Sequence, residues 1–128
     1  MNIVITLPKY LCQEIIAGRK KIEIRKNFPK KFRLLVDKVY VIQKGTHNIV
    51  CSFTIQTIEV HSNPYFLWNV AEDLICVSWD WFYKYVEKSS CFYAWVIGSV
   101  TTYHSILDAR LFLGIYKNPQ SFCYVSQA

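Results

Sequence analysis

The sequence predicts one mixed α+β domain, its strands curling into a barrel flanked by helices. Three observations lead there. The chain has 128 residues, 52% of them hydrophobic and 19% charged, enough to bury one core and too apolar for disorder. Strand-like and helix-like periodicities follow one another in the order β-α-β-β-β-α-α-β-β. Only short turns separate them, with no repeat, low-complexity segment or linker.

The run NIVIT at residues 2–6 reads as an opening strand. LPKYLCQEIIAG follows as a helix, because Leu7, Leu11 and Ile15 recur at i, i+4 and i+8 with Cys12 and Ile16 beside them. Pro8 suits the first turn and Gly18 supplies a left-handed C-terminal cap. KIEIR alternates strictly, which sends Ile22 and Ile24 to the core and Lys21, Glu23 and Arg25 to the opposite, wet face. NFPKKFR is a basic loop. KVYVIQ and NIVCSFTIQTIEV are strands joined by a turn through Gly45, Thr46 and His47.

SNPYFLWNVAEDL is a helix with Ser62 or Asn63 as its cap and Pro64 in its first turn. Ser78 caps a second helix, WDWFYKYVEK. CFYAWVIGSVTTY returns to the sheet, ILDARLFLG makes a short helical turn closed by Gly114, and SFCYVSQ is a last strand.

Composition excludes several functions. No run of about 18 apolar residues exists to span a membrane. The N-terminus lacks a basic leader and a small-residue cleavage site, so a cytoplasmic location is expected. Five scattered cysteines without a CxxC pair support neither a disulfide framework nor a zinc site. His47, His61 and His104 stand singly, so no metal or other cofactor is expected. Residues 1–44 carry eleven Lys and Arg against three acids, whereas residues 45–128 carry four against six. Such asymmetry is the footprint of a phosphate-bearing partner, or of a solvated face that keeps an aromatic-rich chain soluble.

The densest part of that charge is AGRKKIEIRK, residues 17–26, where five basic residues surround Glu23. Crowding by Arg19, Lys21 and Arg25 favours a neutral amine on Lys20, able to act as nucleophile or base; a protonated one clamps phosphate. Glu23, held ionised between Lys21 and Arg25, can accept a base amino group or position a water. Alternatively it forms an ordinary surface ion pair. Arg25 can grip an anion in bidentate fashion. Lys26, Lys30, Lys31 and Arg33 can track phosphates without reading sequence. Trp68, Trp79, Trp81, Tyr83, Tyr93 and Trp95 are candidates for stacking on bases, against the simpler role of filling the core.

At AGRKKIEIR the chain resembles the opening of ASCH domains, which are named for homology to activating signal cointegrator and belong to the PUA-like barrels. The shared pattern is Gly18-x-Lys20-x-x-Glu23-x-Arg25. VYVIQKG and VCSFTIQTIEV are similar to the family's next strands, and VSWDWFYKYV to the helix before FYAWVIGSV. The ending NPQSFCYV is similar to that of many phage-type and bacterial members. The resemblance implies a small barrel with a cleft for RNA, a nucleotide or a modified base. Some relatives hydrolyse acetylated cytidine and at least one is a ribonuclease. In the acetylcytidine hydrolases a threonine stands where this chain has Glu23, and the nearby acids Glu72 and Asp73 do not fall in register with those enzymes' further carboxylate. This chain thus fits the broad pattern better than the hydrolase subset.

Two readings lead, ahead of a third in which exposed aromatics serve a protein-interaction domain. In the first, the chain binds RNA or a nucleotide through Gly18, Arg19, Lys21, Arg25, Ser121 and Tyr124, around a basic cleft that includes Lys20 and Glu23. In the second it is a hydrolase, a ribonuclease or an amidohydrolase of modified nucleosides, with Lys20 and Glu23 as the reacting pair.

Overall fold

Each of the strands marked by a period of two is formed, and the helices stand where the 3.6-residue spacing puts them. The structure is a computed structural model and describes residues 2–28 and 37–125. Its elements are β1 (Asn2–Leu7), α1 (Lys9–Ile16), β2 (Ile22–Arg25), β3 (Val39–Gln43), β4 (Ile49–His61), α2 (Pro64–Ile75), α3 (Trp79–Val86), β5 (Phe92–Thr102), α4 (Ala109–Leu113) and β6 (Phe122–Val125). The basic loop residues Lys30, Lys31 and Arg33 lie outside the described residues.

The six strands make one sheet in the order β2-β5-β4-β3-β1-β6. β1 and β3 pair in parallel, the others antiparallel. β1 is buried on both faces, and its alternation divides two layers. Ile3, Ile5 and Leu7, with Val39 and Val41 of β3, pack under Leu11, Cys12 and Ile15 of α1. Val4, Tyr40 and Ile42 point the other way, toward Ile49 and Ala109. A register slip of one residue would exchange these sets, so the parallel pairing is firmly specified. A separate apolar layer joins α2 and α3 to the end of the sheet through Ile22, Ile24, Leu67, Ile75, Phe82 and Phe92.

β4 and β5 form a long ribbon interrupted by bulges between Phe53 and Thr57. Gly98 sits opposite that irregularity for want of space: a Cβ there would come within 2.5 Å of Thr54 Oγ1, which itself accepts from the Ser99 amide at 2.9 Å.

The helix ends follow their caps. Asn63 Oδ1 accepts from the amides of Tyr65 and Phe66, with Pro64 as the first helical residue. Ser78 Oγ accepts from Trp81 N. Pro8 has extended backbone (ψ 153°), so it precedes α1 instead of joining its first turn.

The sheet does not close into the expected barrel. β2 and β6 remain edges of four residues each. Side chains cross the gap where a closed barrel would have a ladder. Arg25 Nη1 donates to the Ser121 carbonyl at 3.0 Å, and Ser121 Oγ to Asn27 Oδ1 at 3.3 Å. Strands this short offer few ladder bonds, and Pro119, lacking an N–H, cannot donate to extend β6 backward along the seam.

Candidate functional site

The open seam is where the conspicuous charges of the sequence come together. A cleft of about 520 Å³ lies between the end of the sheet, α1, α3 and the segment before β6. Lys20, Glu23 and Arg25 line it, with Lys44 from the β3–β4 turn and Asn118 to Gln120 from the opposite side of the seam.

These groups are not on a wet face. Glu23 is 4% exposed, Arg25 6% and Lys20 2%, which corrects the expectation that the charged side of β2 faces solvent. Alternation does turn Glu23 and Arg25 away from Ile22 and Ile24. That far side, however, is covered by α1 and the residues before β6. Lys21 precedes β2 and stays outside, its side chain exposed beside Thr54 and Gln56 on a different part of the surface.

The three buried charges form a chain of contacts. Glu23 Oε1 lies 3.3 Å from Lys20 Nζ, and Glu23 Oε2 accepts from Arg25 Nε at 2.8 Å. Lys20 Nζ also donates to the Ile22 carbonyl at 2.7 Å and to the Ile75 carbonyl at 2.8 Å. Two main-chain carbonyls thus accept from the ammonium, and the Glu23 carboxylate completes its surroundings as an ion pair. The Ile75 carbonyl is one of those a helix C-terminus leaves unpaired, so the cation also complements the dipole of α2. The main chain strengthens the joint: Lys21 N donates to Leu74 O, and Ile97 N to Lys21 O, each at 2.8 Å. Arg25, besides its bonds to Glu23 and Ser121, has its guanidinium carbon 5.7 Å from the centroid of the buried Trp95 ring.

The cation crowd expected around Lys20 is not assembled. Arg19 is turned outward, its Nε 2.6 Å from Glu14 Oε2, and Lys21 is on another surface.

The remaining candidates fall into place as follows. Gly18 adopts φ +79° with open space around its Cα, so it serves as the left-handed residue after α1. Ser121 meets Arg25 through its main chain. Tyr124 packs against the α1 side of the sheet, edge-on to Phe122 at 5.6 Å between centroids, and does not line the cleft. Glu72 and Asp73 are exposed on α2 and do not line it either. Of the residues the sequence nominated, Lys20, Glu23, Arg25 and the stacking candidate Trp81 line the cleft, and Ser121 anchors its wall.

The sequence did not single out Lys44, Tyr10, Tyr85 or Asn118. Asn118 Nδ2 donates to the Thr46 carbonyl at 2.7 Å, and its Oδ1 is a buried acceptor without a partner among the described residues. Tyr85 is half-buried; burial pushes its phenol up, against the opposing pull of Arg25. Lys26 Nζ lies 4.7 Å from its ring centroid. Among the described residues, no group of three or more His, Cys, Asp or Glu is placed to hold a metal, and no helix is long and apolar enough to cross a membrane.

No family model and no curated protein matches the chain significantly. Solved structures do. The ASCH protein of Zymomonas mobilis superposes with a TM-score of 0.80 at 15% identity, covering 97% of this chain and 87% of that one. Its serine-to-alanine variant gives 0.80 at 14% identity over 97% and 87%, and its tyrosine-to-phenylalanine variant 0.80 at 15% over 97% and 89%. At such identities the likeness establishes the fold: this chain has the fold of ASCH proteins.

Proposed function

We propose that the chain is an ASCH-type, PUA-like domain of the phage and bacterial kind that binds RNA or a nucleotide in the seam cleft. The observation that carries this reading is the charge inside the cleft, where Lys20, Arg25 and Lys44 stand against the single carboxylate of Glu23. Glu23 is matched by two of the cations, so the lining keeps a positive balance directed at whatever enters. A concave, low-dielectric wall concentrates such a field.

The residues then divide the work. Lys20, 2% exposed and held by the Ile22 and Ile75 carbonyls, contributes charge from within the wall. Arg25 has five donors and uses two bonds to stay in place, which leaves a preorganised fork for a phosphate. Lys44, exposed at the rim, meets the ligand as a mobile point charge. The reading is supported further by three members of the sequence pattern, Lys20, Glu23 and Arg25, lining one cleft.

The hydrolase reading rests on the burial of a Lys–Glu pair beside a cavity, the kind of place where reacting groups are found. Against it stand the carbonyls that hold Lys20 in place and the engagement of both Glu23 oxygens. Neither group can turn toward a substrate without breaking the joint it makes.

The test is equilibrium binding of a mixed single-stranded RNA pool and of modified nucleosides, with product formation followed in the same samples. Wild type, Lys44→Ala and Glu23→Gln are compared across a salt series. Binding that weakens with salt, and weakens further in Lys44→Ala without any product, supports the reading. Turnover lost in Glu23→Gln assigns hydrolysis instead.

A further inference from the structure

Three of the four tryptophans have packing roles. Trp95 is fully buried, and Trp68 and Trp79 pack against the layer beneath α2 and α3. Trp81 differs. It projects from the first turn of α3, lines the cleft and is 45% exposed. Its plane is nevertheless fixed, because it stacks on Tyr85 one turn along the helix, with centroids 4.9 Å apart and planes 12° from parallel.

An indole serving only to fill space would be covered. This one is held rigid on one face by a ring that is itself half-buried, and remains uncovered within a cationic hollow. Such a surface suits a flat, electron-rich heterocycle linked to an anion. A base inside a duplex has both faces covered by its neighbours and offers none to the indole. A cleft of about 520 Å³ has room for one nucleotide and not for a double helix.

We infer that Trp81 is the stacking platform of the cleft, seating a single unpaired nucleobase whose phosphate is taken by Lys44 and Arg25. This inference rests on the binding function proposed above and narrows it to unpaired bases. Tyr85 acts as a positioning residue, holding the indole in plane. The shared chemistry, a base bearing a phosphate, is present both in a free nucleotide and in a single strand.

The experiment titrates adenosine monophosphate, a short single-stranded RNA and its duplex form into wild type, Trp81→Ala, Trp81→Phe and Lys44→Ala. Because the side chain is exposed, these variants are expected to melt like the wild type, which circular dichroism checks. Loss of one stacked base, about 1–3 kcal/mol, predicts affinity roughly 5- to 150-fold weaker in Trp81→Ala, with most of it kept in Trp81→Phe. Tryptophan emission is expected to be quenched by ligand in the wild type, and that quenching to disappear in Trp81→Phe while binding persists. Duplex is expected to bind at least about tenfold more weakly than single strand. Tight binding of the monophosphate alone identifies a free nucleotide as the source, and binding of the oligomer only identifies a strand; either agrees with the platform. Wild-type affinity in Trp81→Ala, together with weakened binding in Lys44→Ala, overturns the platform and leaves the cleft as an anion site. Failure of the wild type to bind any of these ligands overturns both.

Discussion

The ammonium of Lys20 closes the C-terminal end of α2: its Nζ lies 2.8 Å from the carbonyl oxygen of Ile75, 55 positions along the chain. The same nitrogen lies 3.3 Å from Glu23, so one buried cation ties the start of β2 to a helix end and to the acid of the cleft. Lys20→Met is expected to destabilise the protein by about 3–5 kcal/mol, since removal of one member leaves buried polar groups unpaired. Urea unfolding measures it; a loss under about 1 kcal/mol would reduce the joint to the worth of a surface ion pair.

Arg25 holds the seam. Its Nε bonds Glu23 at 2.8 Å and its Nη1 bonds the Ser121 carbonyl at 3.0 Å, a fork that a lysine cannot reproduce. Arg25→Lys is expected to cost about 1–3 kcal/mol and to speed amide hydrogen exchange in residues 118–122, while α1 exchanges as before. Unchanged exchange in that segment would show that other contacts hold it.

The five thiols should separate into two classes. Burial pushes Cys12 up to about 11 and Cys51 up to about 12, whereas Cys76, Cys91 and Cys123 are only half-buried. At about pH 8 a maleimide reacts through the thiolate, so native protein should label at the latter three, and at Cys12 and Cys51 only on unfolding. Peptide mass spectrometry distinguishes the sites. Rapid native labelling of Cys12 would contradict the packing of α1 on the sheet.

The acid limb of stability has one resolved contributor at α4. The hydrogen-bonded Arg110 guanidinium holds Asp108 down to about 2. A depressed carboxylate stabilises fully above its unfolded value and loses that contribution as pH falls through the folded one. The Asp108 carboxyl should therefore titrate near 2, and Arg110→Ala should return it toward 3.8. Carbon-detected NMR titration reads both midpoints, and a wild-type midpoint already near 3.8 would remove the ion pair.

Much of the fold was legible because local periodicity decided it. The alternation of KIEIR showed that Glu23 and Arg25 leave the core side of β2, and Asn63, Ser78 and Gly114 marked helix ends that the structure keeps. Alternation says nothing about what covers the other side. The cover of Glu23 and Arg25 comes from α1 and from a segment 96 positions away, which no local pattern reveals. Barrel closure was misread for a related reason: strand number is local, whereas meeting of the edges depends on strand lengths and on side chains within the seam. Lys44 looked like any turn lysine, and Trp81 was one of six aromatic candidates for stacking that local pattern could not separate, until the fold placed both at one cleft.

An anionic, base-bearing ligand is expected to enter the cleft along the open seam. NMR chemical-shift mapping during titration with a short single-stranded RNA tests it most directly. The largest shifts are expected on residues 20–25, Lys44, Trp81 and residues 118–121, receding as salt rises. Shifts confined to another surface, or none at saturating RNA, would contradict it.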